Sequence, residues 1–392
     1  MPTRDSGNRS DSAGGLLVAF GALVFLWTRS FTFGVPAGVG VRPFNLAHYL
    51  FSYEFEFQKR SLVGEIFRLV GAEVSGPGVW MLAMTAGVLL AALIVRYFSA
   101  AMRETSTEQR IMLTAVVLSS PAVLMHFAYD AGRFDLFNYL LLFGCLFLLK
   151  ARGIATRACV VAVCICGTLI HEGFLAAQLA AVLMPILLHR YLSGKGDVSL
   201  LLALAGTTFV LVGVLALWGE VSARTQIEWV DALVASGIER GQARTVTNVL
   251  FLDLAKNAAY VLSEHPRRIV ANPTHYVITG TIVLAYAAWF GYVWREAKRR
   301  VTQAAERRGL YVLLLGPLAV LPLLVLGIDL HRFAAAMIFN MLILIGYLCE
   351  ISGANFRPLP VPRLAVIVVV AASLLAGPMG NDVYSLPAWF IR

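Results

Sequence analysis

Long apolar segments, separated by short charged ones, dominate the pattern of this chain. Apolar runs of about 18 residues or more are typical of membrane-spanning helices. The pattern predicts about eleven spans, with edges that sequence alone places only to within a few residues. They lie near residues 15–33, 78–98, 111–127, 135–150, 156–172, 173–189, 198–218, 274–294, 309–327, 333–350 and 363–378. The predicted fold is all-α, a single integral membrane domain over residues 1–392.

Two stretches between spans are long, at residues 34–77 and 219–273. Both contain apolar residues at helical spacing, and both carry too many charges to cross a bilayer. The second stretch shows this spacing at Ile227, Val230, Val234 and Ile238. Such segments are typical of amphipathic helices that lie in the membrane interface. We therefore expect two interfacial segments.

The amino-acid composition excludes several classes of protein. The chain is 59% apolar and only 14% charged, whereas about a quarter of a soluble protein's residues are charged. A soluble enzyme or a nucleic-acid-binding module is therefore excluded. The net charge of +9 does not change this, because the basic residues lie between apolar runs. The five cysteines form no C-x-x-C pair. No cofactor or metal site is predicted, although a divalent ion is left open.

Lysine and arginine accumulate in alternate connections between the predicted spans. Cytoplasmic loops carry an excess of these residues. The basic connections contain Arg4, Arg9, Arg96, Arg103, Arg110, Lys150, Arg152, Arg157, Arg190, Lys195, Arg295, Lys298, Arg299, Arg300, Arg307, Arg308, Arg357 and Arg363. The predicted location is a cytoplasmic membrane, with the N-terminus inside and the C-terminus outside.

Four charged clusters fall at the opposite, extracytoplasmic ends of the spans. They are residues 53–68, 129–135, 171–172 and 329–332. Ionisable residues at membrane depth are costly and usually functional. Because all four clusters reach one face, we expect a single extracytoplasmic site.

The first cluster contains Glu54, Glu56, Lys59, Arg60 and Arg68. Read as a helix, it places Glu56, Arg60 and Arg68 on one stripe. Guanidinium groups match phosphate oxygens, so Lys59, Arg60 and Arg68 are candidates to bind a diphosphate. The alternative is an interfacial helix with a solvated Glu56–Arg60 pair.

Two clusters share the pattern D-x-x-R-F, at Asp130–Phe134 and Asp329–Phe333. Each opens a predicted span, where the aspartate is expected to cap the helix. The arginine then lies in the first turn, where the helix dipole disfavours a cation. Its anionic partner is either the neighbouring aspartate or a bound phosphate. The candidate substrate-binding residues here are Asp130, Arg133, Asp135, Asp329, His331 and Arg332.

The remaining cluster, His171-Glu172, lies at a tight turn between two spans. A histidine beside a carboxylate has a tunable pKa, as a general base requires. His171 is therefore the predicted base, with Glu172 orienting it. The alternative is a hydrated hairpin turn. The H-E-x-x-H pattern is absent, so a zinc site is not expected.

These motifs together resemble a known family. Phe57–Gly64 approximates F-x-x-K/R-R-x-L-x-G, Asp130–Asp135 reads D-x-G-R-x-D, and H-E and D-x-x-R follow at outer turns. The chain is similar to bacterial exopolysaccharide and O-antigen polymerases of the Wzy and EpsG sort, among the GT-C-like membrane glycosyltransferases. It departs from one polymerase subgroup because the long outer stretch lacks an R-x15-R repeat.

The resemblance implies a donor sugar linked to undecaprenyl diphosphate and a lipid-linked glycan acceptor. It also implies an acidic catalytic residue in the first outer loop, which Glu54 or Glu56 matches. Membrane lipids and other polysaccharide-assembly membrane proteins are the expected partners. The competing hypothesis is a transporter or flippase of a lipid-linked or small anionic substrate. Prolines inside spans, such as Pro121 and Pro185, keep it open. A third is an assembly subunit without chemistry.

Overall fold

A computed structural model describes residues 5–28, 41–151, 153–218, 221–251, 254–323, 329–354 and 356–379. Within these ranges the chain is helical, with no β-strand. The all-α prediction is thus confirmed for the described residues. Several predictions extend outside them: both ends of the chain, residues 34–40 of the first long stretch, and residues 324–327 of the span predicted at 309–327.

Seventeen α-helices, one π-helix and one 3-10 helix are described. The first eight α-helices are α1 Asp5–Trp27, α2 Pro43–His48, α3 Leu62–Leu69, α4 Gly76–Ala101, α5 Thr107–Ser119, α6 Leu124–Tyr129, α7 Asp135–Leu148 and α8 Ile154–Ile170. After the π-helix Leu175–Leu183 come α9 Met184–Leu192, α10 Val198–Trp218, α11 Ala223–Ala235, α12 Arg240–Phe251, α13 Leu254–Ala271, α14 Pro273–Arg300 and α15 Ala304–Leu315. The 3-10 helix Gly316–Val320, α16 Leu330–Ser352 and α17 Arg363–Ala376 complete the order.

Six described helical segments are long and apolar enough to cross a membrane. They are Gly76–Ala101, Thr107–Tyr129, Leu175–Leu192, Val198–Leu217, Pro273–Arg300 and Leu330–Ser352. Shorter apolar helices cover Ser12–Trp27, Asp135–Leu148, Ile154–Ile170 and Arg363–Ala376. The polytopic prediction is confirmed, while the number of about eleven spans stays a prediction.

The helices alternate in direction, so the bundle has two distinct ends. At one end lie the start of α7, the turn between α8 and the π-helix, and the start of α16. We call this the cluster end, because the predicted charged clusters lie there. At the other end lie the starts of α5, α8, α15 and α17. We call it the basic end, after its arginine- and lysine-rich connections.

Two of the spanning segments depart from regular α-helix close to the cluster end. The first is broken between α5 and α6, at Ser120–Val123. The second begins as a π-helix, in which the backbone hydrogen bonds join residues five apart instead of four. The side-chain amide of Asn340, on α16, donates to the carbonyl of Ala177. A Cβ at Gly316 would lie 2.6 Å from the carbonyl of Ala181, so glycine allows the two segments to pack this closely.

The first long stretch differs from the predicted continuous helix. Residues 51–61 are irregular, and helix α3 begins only at Leu62. The helical stripe of Glu56, Arg60 and Arg68 is therefore wrong. A Cβ at Gly64 would lie 1.9 Å from the carbonyl of Phe51. Backbone packing, rather than access for a ligand, accounts for this glycine.

Helices α11 and α12 pack onto this first stretch. Trp229, Leu233 and Val246 are buried in a cluster with Ala47 and Phe51. Protein therefore covers much of their apolar face. Helix α13 differs, since Tyr260, Leu262, Ile269 and Val270 on it are exposed, as an interfacial helix would require.

Candidate functional site

A cavity lies near the cluster end, among the broken α5–α6 segment, α7, the π-helix and α16. Its empty volume is about 370 Å³, including its open mouth. The lining residues are Ala122, His126, Phe127, Asp135, Tyr139, His171, Gly173, Ala177, Leu323, Arg332, Phe333 and Ala336. Aromatic and apolar walls thus surround a carboxylate, a guanidinium and two imidazoles. Three of the predicted site residues, Asp135, His171 and Arg332, meet here.

The two D-x-x-R-F motifs interlock beside this cavity. Arg133 donates to Asp329 of the second motif at 2.8 Å and contacts Asp130 of its own motif at 3.0 Å. Arg332 of the second motif lies 3.7 Å from Asp135, directly after the first. Burial alone would raise the pKa of Asp329, but Arg133 and Arg332 outweigh it and lower that pKa. Both arginines therefore have protein anions as partners.

The capping role expected of the two aspartates is not observed. Asp130 directly follows helix α6 as its C-cap, and Arg133 lies two residues before the start of α7. Asp329 does occupy the N-cap position of α16, but its side chain makes no capping hydrogen bond. Instead, Asp329 bridges the two motifs.

Arg60 reaches the site from the first long stretch. It is the one described non-glycine residue with a positive φ, 66°, a conformation that residues with a side chain adopt uncommonly. From there its Nε donates to Glu172 at 2.8 Å, and its Nη2 contacts the same carboxylate. Burial would raise the pKa of Glu172, but Arg60 outweighs this and holds the pKa well below its usual value. Glu172 thus binds Arg60 rather than serving only its neighbour His171.

The ring of His171 is buried, with 6% of the residue exposed. Its Nδ1 accepts a hydrogen bond from the backbone N–H of Gly173 at 2.9 Å. The neutral ring therefore carries its proton on Nε2, and within the described chain Nε2 has no hydrogen-bond partner. Burial and the positive charge of Arg60 lower the pKa of His171 to about 4. Near neutral pH, His171 offers a donor at Nε2 and no free lone pair.

Arg332 differs from the other arginines of the site. Its side chain is only 13% exposed, and its two ion contacts, with Asp135 and Asp329, are long at 3.7 and 3.6 Å. Across the described residues its guanidinium makes no hydrogen bond, and its Nε is fully buried. A buried guanidinium with unused donors is well suited to an oxyanion. Arg332 is the strongest candidate to contact a ligand.

Other predicted site residues lie outside the cavity lining. Glu56 accepts hydrogen bonds from the backbone of Ser222 and the hydroxyl of Thr225, at the start of α11. Arg68 pairs with Glu65 on the exposed side of α3. His331 contacts Thr279 at 2.8 Å and packs edge-to-face against His275, 3.7 Å between ring centroids.

Glu54 and Lys59 belong to the same irregular stretch as Glu56. Glu54 is exposed, and its charge acts on Arg68. Lys59 lies close enough to Glu172 to favour its ionised form. The structure therefore brings Lys59 and Arg60 toward the site, and leaves Glu54, Glu56 and Arg68 at its periphery.

Sequence reasoning missed two polar residues of the cavity. His126, within α6, is 4% exposed, and Tyr139 on α7 donates its hydroxyl toward Asn340 and the carbonyl of Ala336. The signal for His126 was available, because a histidine inside an apolar run is itself unusual. No sequence signal indicated Tyr139, since tyrosine is common in apolar helices.

Residues 17–238, more than half of the chain, match the family described as "Uncharacterised membrane protein Rv1490". The chain belongs to this family. No curated protein and no solved structure matches it. Membership agrees with the apolar helices above, so the protein is a membrane protein. The matched region includes the first three charged clusters and ends before Asp329 and Arg332.

Proposed function

We propose that the protein is a membrane glycosyltransferase or polysaccharide polymerase. Its donor would be a sugar linked to undecaprenyl diphosphate, used on the extracytoplasmic side of a bacterial cytoplasmic membrane. The observation that carries this proposal is Arg332, a buried guanidinium without a hydrogen bond in the described chain, beside a cavity with a carboxylate and two imidazoles. The resemblance of the motifs to polysaccharide polymerases supports it.

The chemistry requires two kinds of group. One must stabilise the negative charge that grows on the diphosphate as the glycosidic bond breaks. Arg332 suits that role, since its planar donors match phosphate oxygens. The other must take the proton of the acceptor hydroxyl, which a histidine or carboxylate does. Asp135, His126 and His171 all line the same cavity as Arg332.

The test uses purified protein in liposomes with a panel of synthetic undecaprenyl-diphosphate-linked saccharides as donors. Sugar transfer is measured for wild type, Arg332→Gln and the control Arg363→Gln. Arg363 pairs with Glu108 at the basic end and is 75% exposed. We expect Arg332→Gln to lower the rate by about 10²–10³, as loss of a charge-stabilising donor does. The control should retain the wild-type rate.

Thermal unfolding must show that both variants are folded at the assay temperature. If wild type transfers none of the saccharides, the proposed function is wrong. If transfer occurs and Arg332→Gln matches wild type, the role of Arg332 is wrong.

A second candidate is a transporter of an anionic substrate, because two spanning segments are interrupted beside the cavity. Broken helices of this kind form substrate sites in transporters. The break at Ser120–Val123 and the π-helix Leu175–Leu183 both reach the cavity wall, through Ala122 and Ala177. Uptake of labelled undecaprenyl phosphate or inorganic phosphate into the same liposomes, without transfer, would favour this alternative.

A further inference from the structure

His126 is a buried cavity residue with a fixed orientation. Helix α6 carries it, directly after the break at Ser120–Val123. Its Nδ1 lies 2.9 Å from the backbone carbonyl of Met379. Met379 in turn donates its own N–H to the carbonyl of Pro121, at 3.0 Å. The segment after α17 therefore holds both the helix break and the imidazole in place.

The partner of His126 determines which ring nitrogen carries the proton. A backbone carbonyl only accepts, so Nδ1 must be the donor and hold the hydrogen. In the neutral ring, Nε2 then carries a lone pair. The imidazole makes no other hydrogen bond among the described residues. This Nδ1–H to carbonyl arrangement is a common way to prepare Nε2 for proton transfer or ligation.

The other polar groups of the cavity are less able to accept a proton. His171 has the opposite tautomer, because its Nδ1 accepts from Gly173. The hydroxyl of Tyr139 is directed to Asn340 and the Ala336 carbonyl. Asp135 lies 3.7 Å from Arg332. If Asp135 took up a proton, the buried positive charge of Arg332 would lose one of its two negatively charged partners. Among the described residues that line the cavity, only His126 has a ring nitrogen with a free lone pair.

We propose that His126 is the general base of this site and a catalytic residue; this inference rests on the proposed function above. Nε2 takes the proton of the acceptor hydroxyl as that oxygen bonds to the anomeric carbon of the donor. The bond from that carbon to the diphosphate oxygen breaks, and the lipid diphosphate leaves with the electron pair. His126 becomes an imidazolium that keeps its bond to Met379, with the negative charge of Asp135 in the same cavity. His171 donates through Nε2–H to a substrate oxygen.

The kinetic experiment compares His126→Gln with the control His189→Gln in the transfer assay. His189 is also buried and also bonded through Nδ1, to Tyr347 at 3.0 Å, but it lies near the basic end. We expect His126→Gln to reduce kcat by about 10²–10⁴, the usual effect of losing a general base. The donor KM should change little. His189→Gln should keep the wild-type kcat.

A chemical-rescue experiment tests the role of His126 without the glutamine substitution. In His126→Gly, added imidazole should restore transfer at least roughly tenfold, because a small base can replace the missing ring. A residue with a purely structural role would show no such rescue. Transfer by His126→Gln at the wild-type rate would overturn the inference while leaving the proposed function intact.

A spectroscopic measurement works even without activity. In protein labelled with 15N-histidine, the His126→Gln variant identifies the His126 signals among the seven histidines. We expect the Nδ1–H tautomer for His126 and the Nε2–H tautomer for His171 at pH 7. The Nε2–H tautomer at His126 would overturn the inference. If wild type transfers no sugar, the proposed function and this inference both fail, whatever the tautomer.

Discussion

The two ends of the helix bundle hold ion pairs of similar chemistry in different surroundings. At the cluster end, the side chains of Arg60, Arg133 and Arg332 are 12%, 17% and 13% exposed. At the basic end, Arg363 pairs with Glu108 and Arg157 with Asp197, and the two arginines are 75% and 45% exposed. Burial, rather than the number of charges, distinguishes the two ends.

This difference in burial bears on the role of the ion pairs at the cluster end. Exposed pairs contribute little to stability, because water and salt screen them. Buried pairs gain more attraction but lose hydration, and apolar side chains of similar size often stabilise a protein as well or better. Stability alone therefore does not account for the partly buried network of Arg42, Arg60, Arg133 and Arg332 with Asp130, Asp135, Glu172 and Asp329. We attribute this network to the proposed binding site.

The largest effect on stability is expected from breaking one buried pair. Glu172→Gln removes the partner of Arg60 and leaves a buried guanidinium uncompensated, which costs about 3 kcal/mol of unfolding free energy. The matched change at the basic end, Glu108→Gln, should leave the unfolding midpoint unchanged. Thermal unfolding in detergent measures both. Equal effects at the two ends would remove the distinction between them.

A double substitution sharpens the comparison. Arg60→Met with Glu172→Leu removes the whole pair and should recover most of the stability lost in Glu172→Gln, since no unpaired charge remains. Transfer activity should not recover if the network serves the site. Unfolding and transfer assays on the same preparation separate these outcomes. Recovery of both would show that the pair is structural only.

Mild acid should loosen the cluster end before the basic end. The pKa of His171 is about 4 in the folded protein against an ordinary 6.5, so the open form binds a proton more readily. Its contribution to stability is complete above about pH 6.5 and is lost as the pH falls toward 4. The protection factor against hydrogen exchange at residues 171–175, corrected for the pH dependence of the intrinsic exchange rate, should fall at least roughly tenfold between pH 7 and 4.5.

Residues 107–113 at the basic end serve as the internal reference for this exchange experiment. The variant His171→Gln provides the second control, since it has no group to titrate in this range. An equal fall of the protection factor in that variant would assign the effect to another residue.

The smallest effect is expected from Glu56. Its carboxylate accepts from Ser222 and Thr225 at the start of α11, an interaction similar to a helix cap. Glu56→Gln should therefore lower the unfolding free energy by about 1 kcal/mol and leave sugar transfer unchanged. Loss of transfer in this variant would instead assign the chemistry to the first long stretch, as the resemblance implies.

The sequence predicted the architecture better than the chemistry of the site. Long apolar runs identify membrane helices, because a segment that crosses the bilayer must be apolar and must satisfy its own backbone hydrogen bonds. The charged clusters predicted at the ends of the spans also lie close together in the structure. The irregular stretch at residues 51–61 was read as a helix, because its apolar and charged residues happen to recur at helical spacing. Its true partners, Glu172 for Arg60 and α11 for Glu56, are more than 100 residues away in the chain.

The hydrogen bonds between the two histidine rings and the backbone could not be predicted from the sequence either. The tautomers of His126 and His171 depend on the carbonyl of Met379 and the N–H of Gly173. No side-chain pattern encodes either contact, because each arises from the path of the chain. The base that we propose from the structure is therefore His126, whereas the sequence favoured His171.

The π-helix at Leu175–Leu183 has a consequence for how related sequences are expected to vary. A π-helix contains one residue more than an α-helix that joins the same two points. Relatives that lack this extra residue should have a continuous α-helix here, in which the carbonyl equivalent to that of Ala177 would no longer face the amide of Asn340. In an alignment of related sequences, a one-residue gap in this segment should therefore coincide with the loss of asparagine at position 340. The distribution of these two features among the relatives would show when this wall of the cavity formed.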